Sequence, residues 1–168
     1  MRNVIQFIDS ISEWTGKIAQ WLCVVLLAFM VGAVIMRYVF NANTLWAYEV
    51  SLMLGATVYA TAIPYVHKHS GHIRVDVFYS RLSPRRKAII DVFGFLLLFT
   101  PLLIVLADVS IEFAGRAWKI NEKMYETGWY PPIAPLRTAV AYGICLFALQ
   151  GLAQFVRDLY QMVRNKPL

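Results

Sequence analysis

The sequence predicts an all-α, integral membrane four-helix protein with interfacial amphipathic helices and both termini in the cytoplasm. Three observations carry this expectation. Hydrophobic residues make up 59% of the 168-residue chain and charged residues only 15%, where soluble domains carry about 25% charged residues. The mean hydropathy is +0.55. The apolar residues gather into four runs separated by charge, and segments such as Phe95-Leu96-Leu97-Leu98-Phe99 do not alternate. Alternation is what a membrane β-barrel needs. Backbone groups in hydrocarbon must be paired internally, so the runs are expected as helices.

The elements follow in order as one membrane domain over residues 1–168. Residues 1–17 place Val4, Phe7, Ile8, Ile11 and Trp14 at helical spacing, with Asp9, Ser12 and Glu13 elsewhere. That stripe predicts an interfacial helix leading into the first span. Spans are predicted at about residues 18–37, 49–66, 88–111 and 138–157, since a span needs about 20 mostly apolar residues. The first is too long for the apolar core of a signal peptide, and Arg37 follows it where a cleavage site would need small residues. Pro64 and Pro101 should bend or end their helices. Residues 38–48 carry no charge and read as an outer interfacial segment. Glu49 then opens the second span, where a carboxylate suits the positive helix end. Residues 67–87 form a cytoplasmic loop and residues 112–137 an extracytoplasmic one.

Lysine and arginine set the orientation. With four spans, one side holds Arg2, Lys17, Lys68, Arg74, Arg81, Arg85, Arg86, Lys87, Arg157, Arg164 and Lys166, eleven in all. The other holds Arg37, Arg116, Lys119, Lys123 and Arg137, five in all. Acidic residues divide equally, so the net charge of +6 lies on the cytoplasmic side. This accounts for the basic balance without nucleic acid. Trp14, Trp21, Trp46, Trp118, Trp129 and Tyr130 lie near span ends, as belt residues do.

The chain offers little chemistry of its own, and no cofactor or enzyme activity is expected. Cys23 and Cys145 lie inside apolar runs and form no redox pair. His67, His69 and His72 cluster with Lys68 and Arg74, but their spacing matches no zinc pattern. No span carries a histidine at membrane depth to hold haem. The spans also lack a charged residue near their centres, where ion and proton pathways mark themselves. Gln20, Ser51, Thr57, Thr61, Thr100, Gln150 and Gln154 read as packing residues, and Ala56, Ala60, Ala139 and Gly143 permit close helix contact. The residues alone therefore describe a helical scaffold, accessory subunit or anchor that binds other membrane helices. The contrasting readings are a stand-alone membrane metal or haem electron carrier or enzyme, and a generic anchor of another complex.

Three motifs then bring a family into view. Arg37-Tyr38-Val39-Phe40-Asn41, followed by Trp46 and Glu49, resembles a signature of the DctQ-like small permease subunit of tripartite ATP-independent periplasmic (TRAP) transporters. His72-Ile73-Arg74-Val75-Asp76, leading into Ser83-Pro84-Arg85-Arg86, resembles a second. Trp129-Tyr130-Pro131-Pro132 with Pro135-Leu136-Arg137, ahead of Leu149-Gln150-Gly151-Leu152, resembles a third. Tyr48 departs from the family pattern, which has a second acidic residue there. The resemblance implies a bacterial inner-membrane subunit that braces a large multi-span permease. With an extracytoplasmic solute-binding protein and an ion gradient, that complex imports an organic acid or related solute by symport. It makes Arg37, Asn41, Trp46, Glu49, His72, Arg74 and Asp76 the candidate structural and partner-interface residues. Glu122, Lys123 and Glu126 in the outer loop are candidates for docking the binding protein.

Overall fold

A computed structural model describes residues 2–69 and 82–164. Among these residues all the regular elements are helices: α1 (Arg2–Val39), α2 (Leu45–Lys68), α3 (Pro84–Gly94), α4 (Thr100–Lys119) and α5 (Ala134–Arg164). A π-helical turn, Phe95–Phe99, joins α3 to α4 without a break in the rod. Four rods thus result, each long and apolar enough to cross a membrane.

The rods run past the apolar stretches that predict them. Helix α1 has 38 residues, about 57 Å at 1.5 Å per residue, against roughly 30 Å of hydrocarbon. Residues 2–17 are therefore continuous with the first span and not a separate helix. Nothing between Trp14 and Ile18 breaks the chain, because Gly16 and Thr15 sit inside the helical run. The segment expected at 38–48 is correspondingly shorter. Tyr38 and Val39 finish α1, and Leu45 begins α2, leaving residues 40–44 as the connection. Helix α4 continues to Lys119, so the last loop covers residues 120–133.

Local chemistry explains the turns. Asn41 has φ 50° and Asn121 φ 48°, the left-handed conformation that asparagine tolerates just after a helix. The amide of Ala42 then donates to Met36 O at 3.1 Å, and that of Glu122 to Ala117 O at 3.1 Å, capping α1 and α4. Pro101 has no N–H and its ring crowds the carbonyl four residues back. The wider π turn before it accommodates the ring, and Thr100 Oγ1 donates to Phe95 O at 2.9 Å. Pro64 is buried inside α2, which continues through it.

The rods pack in the order α1, α2, α5, α4, with α3 also on α5 and α1 touching α5. Helix α5 is the most buried and α1 the least. Small residues bring the central pair together: a Cβ on Gly143 would collide with the backbone of Ala60. Gly151 similarly leaves room for the Phe99 ring. Phe95 stacks on Phe155 at 4.7 Å and Phe99 meets Phe147 edge-on at 5.0 Å, seating the π turn against α5. Most hydroxyls in the rods are satisfied within their own helix. Ser51, Thr57 and Thr61 donate to carbonyls four residues back at 2.6, 2.7 and 2.8 Å.

Candidate functional site

Polar side chains concentrate at the two ends of the bundle. At the end that carries α1's start and α5's finish, Gln150 is completely buried. Its amide donates to Asp9 Oδ1 at 3.0 Å, and its carbonyl accepts from Ser12 Oγ at 2.8 Å. Arg157 forms an ion pair with the other oxygen of Asp9. Lys68 donates to Glu13 at 2.7 Å and to the Asp9 carbonyl at 3.2 Å, and His69 reaches Glu13 at 2.8 Å. Three helices are joined here by groups that satisfy one another, the condition on which a buried polar network is tolerated. Glu13 lies outside the apolar stretch of α1. The Lys68 hydrogen bond, then that of His69, holds its carboxyl below the ordinary glutamate range.

This network gives the polar side of the N-terminal stripe protein partners. Asp9, Ser12 and Glu13 turn toward α2 and α5, while Val4, Phe7 and Trp14 are well exposed. In water the polar side of an amphipathic helix faces out; against lipid the apolar side does, and the polar side pairs with protein. Asp9 and Ser12 are thus the residues that sequence reasoning missed. Their signal was polar side chains on one face of a helix that continues directly into a span.

The opposite end holds the first group of candidates. Arg37 donates through Nε and Nη2 to Thr44 Oγ1 at 3.3 and 3.1 Å, tying the end of α1 to the residue before α2. Asn41 supplies the left-handed turn between them. Trp46 packs edge-on against Phe29 of α1, with ring centres 5.4 Å apart. It borders a hollow of about 240 Å³ shared with Asn43, Leu45, Gly128 and Trp129. Glu49 is fully buried. It lies in the second turn of α2, since the helix begins at Leu45. Its Oε1 accepts the Thr127 amide at 2.8 Å, while Oε2 has no hydrogen-bond partner among the described residues. Arg37 and Glu49 therefore serve different contacts: one closes the first turn, the other fastens the last loop to α2.

That loop has its own framework. The amide of Met124 donates to Pro131 O at 2.9 Å and that of Ile133 to Glu122 O at 3.0 Å. Arg137 grips both oxygens of Glu122 at 2.7 Å. Glu122 is consequently engaged inside the subunit. Trp118 donates to Thr138 Oγ1 at 2.9 Å, joining α4 to α5 at the same level. Tyr130 holds φ 55°, a costly conformation for an aromatic residue, immediately before Pro131. His72, Arg74 and Asp76 lie outside the described residues. Of the histidines near them, His67 stacks on Phe99 with ring centres 5.5 Å apart, and His69 meets Glu13.

Four apolar rods, joined by polar groups gathered toward their ends, make this a multi-pass membrane protein. A family model described as tripartite ATP-independent periplasmic transporters, DctQ component, matches residues 26–161. The chain belongs to that family, the small membrane component of TRAP transporters, and the family is one of transporter subunits and not of enzymes. No curated protein and no solved structure matches the chain.

Proposed function

We propose that this chain is the accessory scaffold subunit of a secondary active transporter. It braces a large multi-span permease that imports an organic acid or related solute, delivered by an extracytoplasmic binding protein and driven by an ion gradient. Family membership over residues 26–161 carries the proposal. The arrangement of the polar groups supports it. Alternating access moves one part of a transporter against another around a fixed site, and the moving part needs a stationary reference. Here the rods are cross-braced at both ends, by Asp9, Gln150, Arg157, Lys68 and Glu13 at one and by Glu49, Arg137 and Glu122 at the other. Their middles carry no charged residue from which to build an ion path.

The positive-inside distribution supports a bacterial inner-membrane subunit with both termini cytoplasmic. The 120–133 loop then faces outward, where Lys123, Glu126 and exposed Tyr125 offer a surface to the binding protein. His72, Arg74 and Asp76 lie on the cytoplasmic side of this arrangement.

Affinity purification of the tagged chain from native membranes in mild detergent, with mass spectrometry of co-eluting proteins, tests the reading. A stoichiometric multi-span permease is expected, and deletion of this chain should abolish uptake while the permease is still made. Recovery of the chain alone, or uptake unaffected by its deletion, would overturn the proposal.

A further inference from the structure

We infer that the outward face of α4, centred on Asp108 and Glu112, docks a membrane helix of the large transporter component carrying a lysine or arginine at matching depth. The inference rests on the accessory-subunit reading and names the face and the chemistry through which that subunit binds.

Helix α4 buries Leu103, Ser110, Ala114 and Ala117. At about 100° per residue, Asp108 points almost directly away from that side, in one stripe with Ile104, Ile111, Glu112 and Gly115. All five are exposed. Among the described residues neither carboxylate has a hydrogen-bond or ion-pair partner.

Their depth makes this costly. Asp91 and Asp108 stand seventeen residues apart on one continuous rod, or about 26 Å, against a hydrocarbon thickness of about 30 Å. Tilt shortens the projected span further, so the two carboxylates cannot both clear the hydrocarbon. Asp91 interacts within the protein; Asp108 does not. A second marker agrees. Arg137, paired with Glu122, donates to Phe113 O at 3.4 Å and places the charged rim at that level. Asp108 lies five residues deeper, about 7.5 Å toward the bilayer centre.

Acidic side chains inside a membrane pair with cations or face water. This one turns outward, so its partner must come from another chain. Anionic headgroups would repel it, and acyl chains offer nothing. A helix with a cation fits, and Gly115 lets it approach closely, since a Cβ there would meet nothing within 4 Å. The contrast is α1, whose exposed stretch over residues 18–36 carries no charge and suits lipid.

The test uses the assembled transporter with the large component tagged. Ile104→Cys and Ile111→Cys, made without the native thiols, receive a photoactivatable thiol-reactive cross-linker; Cys23, exposed on α1, serves as the control in Cys145→Ala. Cross-links to the large component are expected from positions 104 and 111 and not from Cys23. Asp108→Lys should cut recovery of the large component about tenfold through like-charge repulsion, Asp108→Asn should cut it less, and an acidic substitution at the partner's cation should restore it. If Asp108→Lys fails to accumulate, the cross-links decide. Absent cross-links, or wild-type recovery with Asp108→Lys, would assign the face to lipid and overturn the inference while leaving the accessory-subunit reading intact. Failure of the wild-type chain to recover the large component would overturn that reading itself.

Discussion

Glu49 is the residue whose environment differs most from what its position along the chain suggests. At the start of a span a carboxylate reads as a partner for the helix dipole, yet Glu49 is one turn further in and fully buried, accepting an amide from a loop seventy-eight residues away. Glu49→Ala should leave the Thr127 N–H without its acceptor, at a cost of about 1–3 kcal/mol. Glu49→Gln keeps an oxygen for that amide. Hydrogen exchange over residues 120–133 should therefore accelerate in Glu49→Ala and remain slow in Glu49→Gln. Equal exchange in both variants would mean that the loop is held by the Glu122–Arg137 pair alone. At the other end, Asp9→Ala removes the ion-pair partner of Arg157, leaving it, among the described residues, only Gln154 Oε1 at 3.4 Å, and removes one acceptor from Gln150. A loss of about 2 kcal/mol follows from the usual worth of charged hydrogen bonds, readable as a lower melting temperature in detergent.

Between elements, the closest approach decides most. Gly143 against Ala60 sets the spacing of α2 and α5, and a larger side chain there meets backbone, which cannot rotate away. Gly143→Leu should destabilise the bundle by about 1–3 kcal/mol through overpacking, measured by thermal unfolding in detergent. Gly115→Leu, on the open face of α4, should leave the isolated subunit unchanged. The clasp between α1 and α2 adds a dependence on pH. Hydrogen bonds from Lys68 and then His69 depress the Glu13 pKa. The stability this contributes is fully present above the ordinary glutamate range and is lost as pH falls through the lowered folded value. Spin labels at exposed Val4 on α1 and exposed Tyr59 on α2 should separate on acidification, and Glu13→Gln should show a smaller change because its clasp is already weakened.

For the whole molecule, four rods place the start of α1 and the finish of α5 at one end, as the Asp9–Arg157 pair requires. The proposed orientation, drawn from the lysine and arginine excess, puts that end in the cytoplasm. A membrane-impermeant thiol reagent applied to intact spheroplasts should label Tyr125→Cys and leave Val163→Cys unlabelled until the membrane is opened. The reverse pattern would invert the topology. The row of helices also explains why the subunit exposes so much apolar surface: α1 has a neighbour chiefly in α2, and α4 chiefly in α5. Residues 18–36 of α1 are uncharged, whereas α4 carries Asp108 and Glu112. That asymmetry is a property of the assembly and is invisible in any single helix.

Composition and charge spacing were enough to determine the all-α class, the four rods and the position of each apolar core. The solvent is hydrocarbon and leaves a chain few alternatives. The motif residues were also sufficient to suggest the family. Helix ends were less legible. A rod continues past the membrane wherever nothing breaks it, so residues 2–17 and 112–119 extend the helices beside them. What only the tertiary structure decided was pairing. The sequence shows Asp9, Ser12 and Gln150 as ordinary polar residues, and Glu49 as a helix-end carboxylate. Their partners lie on other helices or in a distant loop, at separations that no local pattern encodes. Hydrophobicity places a side chain in the membrane, but geometry alone determines which face of a rod meets protein and which meets lipid.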